Sequence, residues 1–281
     1  LVLGGSYIYH GAPALASLAA LKAGADLVYT CVPKINVQST RAVSPNLIVI
    51  PLVDSKLTRG AVNKLLGQIP ADLDSATIGM GLSIQDPEAL KLLVKSLLDR
   101  DVRLSVVRYG NVMGSNGSVM PFFLNKKKSG ESYLPITNSS MTRFNISLED
   151  GCEMVFYAIE NAWGGEVFIP KIPSYKITDV ATAIAPELEQ KVVGIRPGEK
   201  LHEEMITSSD SYNTVDLGNY YAILPQKSPF SRYTKEEYNT KFKGIDVPDG
   251  FSYNSGNNTE WETVDSLRKL VVKHVDINFK A

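Results

Sequence analysis

Short apolar runs alternate with helical stretches through the first hundred residues. Leu1-Val2-Leu3 reads as a strand running into Gly4-Gly5, and residues 12–23, rich in Ala and Leu, predict a helix. β-rich runs follow at 26–32 and 47–52, where Pro51 is expected to mark the end of the strand. A helix is expected at 58–66 and a strand end at 76–79. Asp86-Pro87-Glu88 opens a helix to about Leu98, with Asp86 as N-cap and Pro87 at the first helical position. Residues 103–108 (RLSVVR) predict the next strand. Repeated β-α-β units of this kind argue for an α/β fold with a parallel, doubly wound sheet.

The texture changes after Tyr109. Gly, Asn, Ser and Pro become frequent, and the strands are separated by longer loops. Helices are expected at 148–162, 177–185 and 199–206, and strands at 166–169, 191–195 and 220–224. Residues 226–261, rich in Tyr, Lys, Asn and Gly with little periodicity, read as a mostly irregular tail on the surface. The pattern therefore predicts two parts, 1–104 and 105–281. The second is a C-terminal α+β substrate-binding part.

Composition narrows the classes. Of 281 residues 44% are apolar, enough for a sizeable core. Lys plus Arg is 29 against 30 for Asp plus Glu, so charge gives no case for nucleic acid or an anionic membrane as partner. The two cysteines, Cys31 and Cys152, show no C-x-x-C spacing, which fits a reducing cytoplasm rather than a disulfide framework or a zinc site. No apolar run reaches the length of a membrane span, and no signal peptide is visible. Leu1 falls inside the first expected strand, the reading expected of a trimmed or spliced chain.

Several residues are candidates for chemistry. Gly4-Gly5-Ser6, between a strand and a helix with Gly11 just before it, is either a backbone anion site or a tight turn without a ligand. It is not G-x-G-x-x-G, and no acidic residue ends the following strand to hold a ribose. In the second part, Arg196 in RPGEK can contact phosphate in bidentate fashion, and Glu199 can accept from ribose hydroxyls. The alternative for this pair is a surface ion pair. Arg143 in MTRF is a second candidate cation or a structural clamp. Asn111 lies just beyond a strand end, where ligands collect in parallel sheets, or caps a turn. His202 has no partner motif and reads as a packed or exposed helix residue.

GGSYIYHGAPALASLAALKAGADLVY, SPNLIVIPL and ATIGMGL, in that order, resemble the start of ADP-dependent NAD(P)H-hydrate dehydratases, a ribokinase-like family that repairs hydrated nicotinamide cofactors. The resemblance covers roughly 1–104. It implies contacts to the hydrated nicotinamide at Ala12 in GAP and Gly81 in GMGL, where a glycine admits a ligand close to the backbone. The strand at 103–107 departs from the family by leading into Arg108-Tyr109-Gly110-Asn111 rather than Asp-Ala-Asp. The Gly-Thr-Gly-Asp motif that holds the nucleotide and the catalytic Asp is absent from the sequence.

VVRYGNVMGSNGSVMPFF, MTRFNISLEDG, GGEVFIPKIPSYKITDVA and GIRPGEKLHEEMI resemble the inverting UDP-N-acetylglucosamine 4,6-dehydratases over about 105–270. These are extended short-chain dehydrogenase/reductase enzymes that use NADP in an N-terminal Rossmann domain. The resemblance implies UDP-sugar contacts at Asn111, Arg143, Arg196 and Glu199, and a homo-oligomer as the usual state. Family catalysis pairs Tyr with Lys four residues on, so that the Lys lowers the Tyr pKa. None of the thirteen tyrosines here has that Lys, and the Gly-rich NADP loop is absent. No catalytic residue is assigned. The expected function is a dehydratase-like binder of UDP or a UDP-sugar that is inactive or chimeric. The alternative is ADP- or ATP-linked repair of hydrated nicotinamide cofactor by the first part.

Overall fold

The structure is a computed structural model that describes residues 1–102, 104–226 and 233–280. The chain divides into two compact units, Leu1–Leu104 and Ser105–Ala281.

The first unit alternates strand and helix. Its elements are β1 (Val2–Leu3), α1 (Gly11–Lys22), β2 (Tyr29–Pro33), α2 (Val37–Arg41), β3 (Ile48–Leu52), α3 (Arg59–Leu66), β4 (Thr77–Ile78) and α4 (Pro87–Leu98). The strands form one parallel sheet in the order β3-β2-β1-β4. Neighbouring strand residues point to opposite faces, and here both faces are covered. Leu3, Cys31 and Ile50 pack with Val62 and Leu65 of α3 and Leu93 and Leu97 of α4. Their neighbours Val2, Val32 and Val49 pack with Val37 of α2 and with Ala16 and Ala20 of α1. That is the doubly wound arrangement, and each fully buried Leu contributes about 1.5–3 kcal/mol.

The helix α4 begins as its sequence requires, with the Asp86 carboxylate accepting the Glu88 N–H at 3.0 Å and Pro87 following. Pro51 does not end its strand. It pairs in register with Val32 inside β3, which is tolerated because β3 lies at the sheet edge and needs no donor there.

The second unit is a mixture of smaller sheets and helices. In chain order it contains β5 (Val106–Val107), β6 (Asn111–Val112), α5 (Val119–Lys128), β7 (Tyr133–Ile136), β8 (Thr142–Ile146), α6 (Leu148–Asn161), β9 (Val167–Pro170), β10 (Ser174–Lys176), α7 (Ile177–Ile184) and β11 (Glu189–Val192). Then come β12 (Glu204–Ile206), β13 (Thr214–Asp216), β14 (Tyr220–Ile223), α8 (Lys235–Phe242), β15 (Ile245–Asp246), β16 (Tyr253–Asn254) and α9 (Val264–His274). The largest sheet has the order β15-β13-β14-β9-β5, antiparallel except for the parallel pair β5 and β9. A three-stranded sheet, β10-β8-β6, sits at the centre of the site described below.

Three expectations are corrected here. The strand foreseen at 103–108 is only Val106–Val107, and Arg103 lies outside the described residues. It pairs with β9 of the second unit rather than with the first unit's sheet. Residues 199–206 are not a helix. They pass from a turn into strand β12, which pairs antiparallel with β16 because Met205 and Ile206 are buried in a cluster with Phe144 and Tyr253. The stretch 226–261 also holds more regular structure than its composition suggests. It contains α8 and two short strands, and Tyr238 of α8 is fully buried against Met154, Phe168 and Ala222. Residues 227–232 of that stretch lie outside the described residues.

Candidate functional site

Four side chains singled out in the sequence, Asn111, Arg143, Arg196 and Glu199, line one cleft of about 450 Å³ in the second unit. Pairing in the three-stranded sheet brings two of them together. Asn111 of β6 is registered with Asn145 of β8, and Arg143 of β8 is registered with Tyr175 of β10. The preceding Gly110 permits this approach, since a Cβ there would lie 2.5 Å from the Cβ of Phe144. Arg196 and Glu199 enter from the turn after β11. Pro197 and Gly198 occupy its centre, Gly198 has φ of 82°, and the Glu199 N–H donates to the Arg196 carbonyl at 3.0 Å. Pro followed by a positive-φ Gly is the demand of a type II turn, so RPGE sets this geometry locally.

The two arginines differ in their surroundings. Arg143 is 13% exposed and every guanidinium nitrogen faces an acceptor. Its Nη1 donates to the carbonyls of Thr142 and Leu201 at 2.7 and 3.2 Å, Nη2 lies 3.7 Å from Glu199, and Nε lies 3.8 Å from Glu203. Arg143 is therefore a clamp between β8 and the 199–203 segment as well as a cation in the cleft. The Arg196 side chain is exposed, and its guanidinium makes no ion pair among the described residues.

Sequence reasoning missed two neighbours. The Tyr175 hydroxyl is buried in the cleft wall, and burial together with the nearby Glu203 charge pushes its pKa up. The Glu203 carboxyl is also raised, by burial first, against the opposing effects of the Phe144 N–H at 3.0 Å, Arg143 and the Asn111 amide. Asn111 acts on both groups, so it links Tyr175 to Glu203. Neither residue carries a local sequence signal, because the helix expected at 199–206 hid the strand register that brings them in. The far wall is apolar and hydroxylated, with Ser118, Val119, Phe122 and Phe123 at the start of α5. His202 is packed, its Nδ1 2.7 Å from the Thr142 hydroxyl, which is itself 2.7 Å from that of Ser255.

In the first unit Ala12 and Gly81 line one shallow surface concavity together with Tyr9 and His10. Gly81 has φ of 66°, and a Cβ there would lie 3.0 Å from that of Tyr9, so the position demands glycine for packing as well as for access.

The Gly4-Gly5-Ser6 turn is not an anion cradle. The Gly4 N–H donates to Cys31, the Gly5 N–H to Met80 and the Ser6 N–H to the Tyr9 carbonyl. The Tyr9 N–H returns to the Ser6 hydroxyl at 3.3 Å. These donors are consumed internally, so the turn does not fit the pyrophosphate of NADP. Among the described residues no group of three His, Cys, Asp or Glu side chains could hold a metal ion, and no helix is long and apolar enough to cross a membrane.

Residues 74–225 match the family described as polysaccharide biosynthesis protein, and residues 1–108 match NAD(P)H-hydrate dehydratase. Among similar curated proteins is a UDP-N-acetylglucosamine 4,6-dehydratase (inverting) of Campylobacter jejuni, 51% identical over 179 residues, which are 62% of this chain and 52% of that protein. An ADP-dependent (S)-NAD(P)H-hydrate dehydratase of Nitrosopumilus maritimus is 79% identical over 106 residues, 38% of this chain and 37% of that protein. The chain thus joins regions similar to two families, and it spans about half the length of the first relative and little more than a third of the second. In fold it is similar to Pen from Bacillus thuringiensis, at a TM-score of 0.66 and 18% identity over 97% of both chains.

Proposed function

The chain belongs to the polysaccharide biosynthesis protein family, and on that premise we propose that its second unit binds UDP or a UDP-sugar without turning it over. The observation that carries this reading is the convergence of Asn111, Arg143, Arg196 and Glu199 on one cleft from two separate segments of the fold. Arg196 supplies a free guanidinium for the diphosphate, Arg143 a second cation, and Glu199 an acceptor for ribose hydroxyls. The Phe122 and Phe123 wall offers apolar surface for the base. The names of the similar proteins support the ligand class, since the Campylobacter relative acts on UDP-N-acetylglucosamine.

Binding without chemistry follows from what the sequence lacks. Elimination of water from a nucleotide sugar through a transient oxidation needs a hydride acceptor and a Tyr/Lys pair, and this sequence carries neither the NADP loop nor the pair. The buried Tyr175 has its pKa raised rather than lowered, the wrong direction for a proton-abstracting phenolate.

The test is a titration of UDP against the chain and two variants. A desolvated Arg–phosphate contact contributes roughly 1.5–3 kcal/mol, so Arg196→Ala should take UDP binding below detection. Ala12→Leu, in the other unit, should leave it unchanged. Equal affinity in Arg196→Ala and the parent removes the basis of the site.

A further inference from the structure

The largest sheet of the second unit ends on an open edge. Its order is β15-β13-β14-β9-β5, so among the described residues β9 is the one strand partner of β5. Val106 and Arg108 spend their N–H groups on β9, donating to the carbonyls of Glu166 and Phe168 at 2.8 and 2.9 Å. Successive residues of a strand turn their backbone groups to alternate edges, so Val107 turns its N–H and C=O outward. Such an edge is a template for a further strand. The Val106 side chain beside it is 54% exposed.

Helix α6 overhangs this edge with an apolar flank. Gly151, Met154 and Ala158 form its buried face, and Met154 and Ala158 cluster with Phe168 of β9 and Val107 of β5. Tyr157 stacks on Tyr220 of β14, with ring centroids 4.3 Å apart, and so lies on the β14 side. At about 3.6 residues per turn, Leu148, Val155 and Ile159 sit half a turn from Tyr157, on the side of β5 and the open edge. They are 65%, 38% and 67% exposed. Cys152 and Phe156 lie on the rim of this flank, and the exposed Glu149, Glu153 and Glu160 form a ridge opposite the buried face. The apolar surface is thus lateral, and the outermost side of α6 is acidic. The open surface of Leu148, Val155, Phe156 and Ile159 comes to roughly half of the ~800 Å² that each partner in a standard interface buries. The β5 edge and Val106 extend it.

We propose that this edge and flank together seat a second copy of the chain, about a two-fold axis perpendicular to the sheet. β5 pairs antiparallel with its counterpart, the two Val107 residues exchange their outward backbone hydrogen bonds, and the five-stranded sheet continues across the axis. The same rotation sets the α6 flank of one copy against that of the other. A strand alone would leave the flank in water, and a helix alone would leave the edge unpaired. A second copy supplies both at once, because a two-fold contact is self-complementary. Charge agrees with this occupant, since both acidic ridges stay on the outer surface and face water rather than each other.

Sedimentation velocity of the full chain over a concentration series tests the proposal, on the parent and on Ile159→Lys, Val106→Lys and Val106→Thr. The parent should form a dimer with a Kd in the micromolar range. Each copy contributes one Ile159, so its exchange for Lys removes two buried side chains and should weaken the dimer by about a hundredfold or more. In the proposed register Val106 of one copy lies opposite Arg108 of the other. Val106→Lys therefore sets like charges face to face and should weaken the dimer by about tenfold, whereas Val106→Thr should leave it close to the parent. Both substituted side chains are exposed in the single chain, so the far-ultraviolet dichroism of each dilute variant should match the parent's, and a lost dimer is then not a lost fold. The Val107 amide should exchange its hydrogen more slowly as concentration rises, which contact between the helices alone would not produce. A parent that stays monomeric to roughly millimolar concentration overturns the proposal and leaves the face to a foreign chain. A dimer that neither Ile159→Lys nor Val106→Lys weakens, or one without protection at Val107, overturns it as well.

Discussion

Tyr253 shows how much a single polar atom can matter in this chain. Its hydroxyl accepts the Ile172 N–H and donates to the Ile172 carbonyl, both at 3.0 Å, inside a buried cluster with Phe144 and Met205. Tyr253→Phe leaves the Ile172 N–H without a partner, while the Ile172 carbonyl keeps the Asn258 amide at 2.8 Å, and should cost about 1–3 kcal/mol, measured as a shift of the denaturation midpoint at constant slope. The cysteines make a second prediction. Burial pushes the Cys31 thiol up to about 12, whereas Cys152 is exposed on α6. Native protein should present one thiol per chain to a disulfide reagent at mild alkaline pH, and two after denaturation; two reactive thiols in the native state would contradict the packing. Because the folded value of Cys31 lies above its ordinary value of 9.0, its contribution is fully present below pH 9 and is lost as pH rises towards 12. Residue by residue, the legible part of the site was the part made by local rules. RPGE announces a turn and MTRF a cation. Tyr175 and Glu203 were not legible, since nothing in their own neighbourhoods tells which strand each will face.

The same division holds for whole elements. Helix α4 could be read to the residue because Asp86 and Pro87 mark its start and its apolar positions repeat at helical spacing. The four-strand sheet was legible because each strand is a short apolar run between helices. Helix α8 was not, although its signals are present. Thr234 and Glu237 form a reciprocal capping box, with distances of 3.2 and 2.7 Å, but only Tyr238 of the helix is buried, so its sequence lacks a repeating apolar stripe. A helix of that kind depends on its cap. Thr234→Ala should cost about 0.5–2 kcal/mol, and an effect within error would mean that the Trp163 and Tyr238 cluster alone holds the helix. Residues 199–206 failed in the opposite direction. Leu201, Met205 and the charges between them mimic a helical period, and pairing of β12 with Tyr253 and Asn254 overrides it. Tertiary burial outweighs a weak local preference.

Over the whole molecule, two different sequence families meet at a boundary that both can accept. The family matches overlap between residues 74 and 108, where helix α4 and a short β run satisfy either pattern. Each unit has its own hydrophobic clusters, and those of the first unit are made only of first-unit residues. Ligand effects should therefore be confined to the second unit, and ADP-driven dehydration of hydrated NADH should be undetectable, since the sequence holds no Gly-Asp dipeptide. The central claim is that a nucleotide site survives in the second unit without the groups that act on the sugar or carry hydride. Calorimetric titration of UDP, UDP-N-acetylglucosamine and NADP into the same preparation tests it most directly. The predicted result is micromolar to millimolar binding of UDP, equal binding of UDP-N-acetylglucosamine because the nucleotide supplies the contacts, and no tight binding of NADP. Sub-micromolar affinity for NADP, or no heat from either uridine nucleotide, would contradict it.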